Sequence, residues 1–327
     1  MFRVLTICID LTVFFRMKGA NLSYLRISPR FFIFGCCIGL FLIYGLFTQL
    51  PDGKLHLIFC DVGQGDAIVV VFPNGQDMLI DGGPNNRVLT CLGNNRPFYD
   101  RTLDLVVATH PQEDHIGGLV EVIKRYKVKH FATVAVAHTS KTFADLWLQI
   151  KQKHVPSRFL YEGEIIKINN VSIDVLWPDR EWLLDQAVSD DRSGLVDSTE
   201  MIDTKTNLNN FSLYLHLKYQ HFDALFTGDG DVTMQNLLDK TNLLRLEASI
   251  EVLKVPHHGS KTALSATIIN LLRPKTDVIQ VGKNSYGHPN NETIKSLQSF
   301  GNVFRTDTNG AITISTNGET VDVKVEN

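Results

Sequence analysis

The stretch Thr109-His110-Pro111-Gln112-Glu113-Asp114-His115-Ile116-Gly117-Gly118 follows a strand-like run, Leu103 to Ala108. It precedes apolar residues Ile116, Leu119, Val120, Ile123 and Tyr126, which are spaced for one helical face. It is therefore a strand-to-helix loop, and it crowds three metal-binding groups, His110, Asp114 and His115, onto one turn. Imidazole together with carboxylate suits zinc, iron or manganese. One turn cannot close a site, so other ligands must arrive from elsewhere. Leu225-Phe226-Thr227-Gly228-Asp229 is an apolar strand ending in a Gly-Asp corner. Val252-Leu253-Lys254-Val255-Pro256-His257-His258-Gly259-Ser260 is another, ending in two histidines. Ligands at the exits of several strands, converging on one sheet edge, are how open α/β proteins build sites.

Further stretches fall in a meaningful order around these three. They are Phe59-Cys60-Asp61-Val62-Gly63-Gln64-Gly65-Asp66-Ala67, Leu79-Ile80-Asp81-Gly82-Gly83, Asn209-Asn210-Phe211-Ser212, Tyr286-Gly287-His288-Pro289, and Arg305-Thr306-Asp307 with Gly310. From about Lys54 to the C-terminus the chain resembles the metallo-β-lactamase superfamily, and within it the soluble domain of ComEC-type DNA-uptake proteins. The resemblance implies an α/β fold over residues 54–327, an αββα four-layer sandwich. It also implies a metal-dependent hydrolase acting on a phosphodiester, most simply DNA, with zinc or manganese as cofactor. The implied metal ligands are His110, Gln112, Asp114, His115, Asp229 and one of His257 or His258. Asp114 and Asp229 would take the catalytic roles, and Asp81 would orient a ligand imidazole from behind. Asn210, Ser212, Lys254 and His288 are expected to face substrate, although Asn210 and Ser212 could equally stitch strands together and His288 could be a buried turn histidine.

Two departures from the family pattern stand out. Gln112 occupies a position where the superfamily loop carries histidine or aspartate, and an amide oxygen is a weak, neutral donor. The third-motif histidine of the superfamily is also not evident between Val171 and Asp229. The expectation is one firmly held ion at Asp114, His115, Asp229 and a histidine of the 257–258 pair, with a second ion beside His110 and Gln112 weak or absent.

The 327 residues are 44% hydrophobic, enough for a large core. Phe31 to Leu50 is uncharged and apolar, about the length a bilayer core asks of a helix. Arg3, Arg16, Lys18, Arg26 and Arg30 precede it against one acid, Asp10. This bias predicts a basic cytoplasmic segment 1–30, a single-pass anchor at 31–50, and an extracytoplasmic domain beyond. A cleaved signal peptide competes, but no small-residue site follows the apolar run. Met17 followed by Lys18 could also serve as a translation start. A DNA-uptake channel would be a separate partner.

The net charge is −3 overall; the first fifty residues hold five bases and one acid, which leaves −7 on the remainder. That excludes a broad basic clamp for nucleic acid. Lys124, Arg125, Lys127, Lys129 and His130 form one local exception, read as helix-end cations or a phosphate track. Five cysteines form no framework, and Cys60 in its apolar run is expected to be a buried free thiol. Asp61 should cap the Gly63-Gln64-Gly65 turn. Residues 182–207, with Asp190, Asp191, Asp197, Glu200 and Asp203, break the pattern and are expected to form an acidic loop. Besides a nuclease or phosphodiesterase, the sequence leaves open a hydrolase of another envelope ester and a non-catalytic module that binds DNA or a channel.

Overall fold

Two sheets face each other across a shared apolar core, and strict side-chain alternation explains why. In the strand Leu55–Phe59, Leu57 and Phe59 point into the inter-sheet core, whereas Ile58 points to the opposite face. Phe226 and Ala224 from the second sheet join Leu57 and Phe59, while Leu225 between them faces outward. The computed structural model describes residues 29–47, 51–97, 99–188, 201–238 and 249–327, with side chains in the first segment only for residues 30–41. Residues 51–327 form one compact unit.

The first sheet has eight strands among the described residues, in the order Val321–Val325, Ile312–Thr316, Leu55–Phe59, Ile68–Val71, Asp77–Ile80, Leu105–Ala108, Phe131–Thr133, Ser157–Phe159. The second has seven: Asn302–Arg305, Thr276–Ile279, Val252–Lys254, Phe222–Phe226, Tyr214–Tyr219, Val171–Trp177, Ile165–Ile168. Each sheet is parallel on one side and antiparallel on the other. Helices Arg87–Asn95, Leu119–Arg125 and Lys141–Gln152 cover the outer face of the first sheet through Val88, Leu92, Leu119, Ile123, Leu146 and Ile150. Helices Ala266–Leu272 and Asn291–Gln298 cover the second through Ile268, Ile269, Leu272 and Leu297. The result is the four-layer αββα sandwich. Each fully buried Leu, Ile or Phe in these layers contributes roughly 1.5–3 kcal/mol.

Two sequence expectations are corrected here. Cys60 is not a free thiol: it is disulfide-bonded to Cys91, 31 residues away, with the two Cα atoms 5.9 Å apart. The bond ties the end of the first strand to the covering helix Arg87–Asn95. The pairing depends on that helix folding back over the strand, which spacing alone does not reveal. Reduction, or Cys91→Ser, is expected to lower stability by about 3 kcal/mol; thermal unfolding with and without dithiothreitol measures this, and an unchanged midpoint would refute it.

The interval 182–207 is also not uniformly loop. Arg180–Asp185 is helical, capped by Asp179, and Ile202 bridges to Val136. Asp190, Asp191, Asp197 and Glu200 lie outside the described residues. Three of the five residues in the basic cluster are paired: Lys124 and Arg125 share Glu121, and Lys129 pairs with Asp104. In the N-terminal unit, Pro29–Phe47 is a helix whose described side chains are predominantly exposed and apolar. Among the described residues no helix is long and apolar enough to cross a membrane. The expected span reaches Leu50, past those residues, and the candidate start at Met17 also lies outside them.

Candidate metal centre

The parallel strands of both sheets deliver their C-terminal ends to one edge. Asp81 follows Asp77–Ile80, His110 follows Leu105–Ala108, and Asp114 and His115 sit on the short helix Glu113–Ile116. Asp229 follows Phe222–Phe226, and His257 and His258 follow Val252–Lys254. Glycines let these loops nest. A Cβ at Gly65 would lie 2.3 Å from the Asp114 carbonyl oxygen, and one at Gly118 would lie 2.1 Å from that of Gly82. Asp66 N–H donates to the Asp114 carbonyl, which locks the Gly63–Asp66 turn under the ligand loop.

Asp114, His115, Asp229 and His258 converge, each offering one ligand atom within 4.8 Å of the others. His258 Nε2 lies 3.2 Å from Asp114 Oδ2 and 3.4 Å from Asp229 Oδ2, and His115 Nε2 lies 3.3 Å from Asp229 Oδ1. The opposite ring nitrogens are committed elsewhere. His115 Nδ1 donates to Asp81 Oδ2 at 2.8 Å, and His258 Nδ1 donates to the Gln280 carbonyl at 2.8 Å. Asp81 also accepts from Thr109 N and Thr109 Oγ1, both at 2.7 Å. Thr109 Oγ1, its proton given to Asp81, is left to accept from His110 Nδ1 at 3.1 Å. One carboxylate thereby fixes the tautomers of two imidazoles and leaves both Nε2 lone pairs facing the cleft.

Those lone pairs have no partner of their own. Among the described residues, His110 Nε2, His115 Nε2 and Asp229 Oδ1 are all buried without a hydrogen bond. Buried donors and acceptors are ordinarily satisfied, and here lone pairs and carboxylate oxygens face one another. The electrostatics agree. Burial would push the His258 imidazolium down, but Asp229, Asp114 and Asp66 lift it to about 10, and Asp229 lifts His115 well above its usual range against the same penalty. Against the cost of burial, His115 and His258 hold Asp114 at about 2. The cluster calls for positive charge at its centre, and two carboxylates with two neutral imidazoles fit a divalent ion of the zinc or manganese type.

His110 stands beside this set, its ring 4.2 Å from that of His115, and the Gln112 side chain approaches it. Burial, reinforced by His115, lowers His110 to about 3, so the ring is neutral. Of the histidine pair, His258 enters the cluster. His257 turns away, with Nε2 3.4 Å from Asn209 Nδ2 and its ring 5.5 Å from His288. Both residues adopt left-handed backbone, φ 49° and 52°, which sends adjacent side chains in different directions.

Lys254 and Ser212, expected to meet substrate, do not reach solvent. Ser212 is buried and its Oγ accepts from Asp229 N at 3.1 Å, fixing the Asp229 corner. Lys254 is buried because its strand is covered on both faces. Its Nζ pairs with Asp66 Oδ2, donates to the Gly228 carbonyl at 2.7 Å and lies 3.7 Å from Asp229 Oδ1. Asn210 holds Trp177 Nε1 through its backbone carbonyl at 2.7 Å. Asp61 accepts from Gly63 N and pairs with Arg87, away from the cluster. Two residues escaped sequence reasoning. Asp66 sits behind both imidazoles, 3.8 Å from His115 Nδ1 and 3.4 Å from His258 Nδ1. Asn209, rather than Asn210, faces His257.

A metallo-beta-lactamase superfamily model matches residues 60–283, and the chain belongs to that superfamily. Two curated relatives extend the likeness. ComE operon protein 3 of Bacillus subtilis (strain 168) is 28% identical over 301 residues, covering 85% of this chain and 35% of its own length. Recombination protein 2 of Haemophilus influenzae is 24% identical over 293 residues, covering 87% of this chain and 31% of its own. The chain thus spans about a third of the curated relatives it matches. Among solved structures, the metallo-beta-lactamase fold protein YhfI from Bacillus subtilis aligns over 80% of this chain and 100% of its own, at 10% identity and a TM-score of 0.49.

Proposed function

We propose that the domain is a metal-dependent phosphodiesterase that cleaves DNA, held outside the membrane by the segment 31–50. The observation that carries the reading is the convergence of Asp114, His115, Asp229 and His258, with His115 Nε2 and Asp229 Oδ1 buried and without a hydrogen bond among the described residues. When bound there, a divalent cation acidifies water and draws charge from a phosphoryl oxygen. The chain's own residues do the rest. Asp81 and the Gln280 carbonyl hold His115 and His258 in the ligating tautomer. Ser212 and Lys254 fix Asp229. Asp114, whose side chain keeps 31% exposure, is the carboxylate of the cluster open to solvent and accepts the proton of the attacking water. The motif resemblance to ComEC-type DNA-uptake proteins supports DNA as the substrate, and a ComE operon protein and a recombination protein are among the relatives.

Export rests on the apolar run Phe31 to Leu50 with bases before it. The Cys60–Cys91 disulfide supports it too, since such bonds persist in oxidising compartments. A second reading, a one-ion module that binds DNA or a channel partner without cutting, is favoured by Gln112 and by the missing third-motif histidine. The test is a panel of labelled DNA and bis-p-nitrophenyl phosphate, with manganese and zinc in turn. Cleavage of both is expected. Cleavage of the small ester alone defeats the nuclease reading, and cleavage of neither leaves the binding module. Gln112→Asp is expected to raise the metal content of the purified protein, because it adds charge and a stronger oxygen donor beside His110. Unchanged elemental analysis would remove Gln112 from the ligand set.

A further inference from the structure

Tyr286 is 74% exposed, an unusual position for an aromatic side chain on a loop so firmly tied. Asn284 Oδ1 accepts from the backbone N–H of Tyr286 at 3.0 Å and of His288 at 3.1 Å. Asn284 Nδ2 donates to the carbonyls of Gly282 at 2.9 Å and His288 at 2.8 Å. The phenol ring is therefore presented on a rigid support, so little freedom is lost when something lies against it.

The ring is also connected to the centre. Tyr286 stacks on His288 with centroids 5.9 Å apart and planes 30° from parallel. His288 then stands 5.5 Å from His257, which adjoins His258 at 6.3 Å. A line of rings thus runs from solvent to the candidate metal ligand. Lys283, on the same loop, and Lys261, just past His258, are exposed and take no ion pair among the described residues. A cation on the same loop as an exposed aromatic face, as Lys283 is, suits a single nucleic-acid strand, the ring taking a base and the ammonium group a phosphate.

We propose that Tyr286, backed by His288, is a nucleobase platform that holds a base of single-stranded DNA next to the cleavage site. The inference deepens the phosphodiesterase reading and rests on it for placing the scissile phosphate. It explains how a domain of net charge −7 outside its first fifty residues would hold DNA at all: by stacking, with only local charge. Base stacking tolerates any sequence, so the preference is for unpaired strand rather than for particular bases.

The test uses the full chain carrying Asp229→Asn, so that bound strand is not consumed, and reads fluorescence anisotropy with labelled oligothymidylate and an abasic oligomer of equal length. Tyr286→Ala is expected to weaken thymidylate binding about fivefold or more. Tyr286→Phe should restore it, and the abasic strand should bind weakly to all three proteins. Equal loss for both strands, no loss, or failure of phenylalanine to restore binding overturns the platform. Turnover of bis-p-nitrophenyl phosphate by the unmutated chain is read separately: its absence sinks the hydrolase reading while a base-dependent effect at Tyr286 would stand.

Discussion

Replacing Lys254 with methionine is expected to destabilise the domain by about 3–5 kcal/mol, the usual result of stripping one partner from a buried ion pair. Lys254 and Asp66 are each about 1% exposed, so Asp66 would be left charged and without its cation in the interior. The damage should spread, because Asp66 lies behind both His115 and His258. Asp66→Asn in the same chain should recover a large part of the loss, since the uncompensated charge is then gone. Urea unfolding of the single and double variants measures the coupling. A Lys254→Met midpoint within experimental error of the parent, or a double variant worse than the sum of both singles, would show that the pair does not act as described.

Asp229→Asn should leave the fold nearly intact yet lower divalent-metal affinity and phosphodiester hydrolysis by about 100-fold or more. The carboxylate faces both imidazole Nε2 atoms, and its Oδ1 has no hydrogen bond to lose. Asparagine is close in size, so the effect should fall on charge and not on packing. With its charge gone, His258 and His115 should also lose part of the carboxylate field that raises them above the ordinary imidazole range. The measurements are metal titration by calorimetry and hydrolysis at saturating metal. Full metal binding by Asp229→Asn would remove the residue from the coordination set.

The fold class could be read from motif order because strand exits carry chemistry-bearing residues at recognisable positions. Asp114, His115 and Asp229, which the fold brings together, are legible for that reason. Lys254 was misread by its nearness in sequence to the histidines, although Val252-Leu253-Lys254 belongs to a parallel strand buried on both faces, where no exposed side exists. Asp66 closes a glycine turn and carries no ligand signature of its own; only the folding of its loop beneath Asp114 shows where its carboxylate goes. Choosing His258 over His257 depends on two successive left-handed residues, which no pattern of apolar spacing encodes. Asn209 was masked by its twin, and the short 3-10 turn Leu208–Phe211 decides which amide looks inward. The Cys60–Cys91 bond needs a helix to cross a strand, a relation between elements and not within one.

The strand Leu55–Phe59, which leads directly into Cys60 and the Asp66 turn, has Ile312–Thr316 as a hydrogen-bonded neighbour. The first strand of the domain is thus completed by a strand that lies at the far end of the same domain in sequence. Until it arrives, a growing chain carries an open, apolar strand edge of the kind that invites pairing with other chains. The order of synthesis also means that a nascent chain can hold all its ligand residues before the layer supporting them is closed. Assembly of a competent centre therefore waits for Ile312–Thr316, and removal of Ile312–Thr316 and Val321–Val325 should be felt first as aggregation.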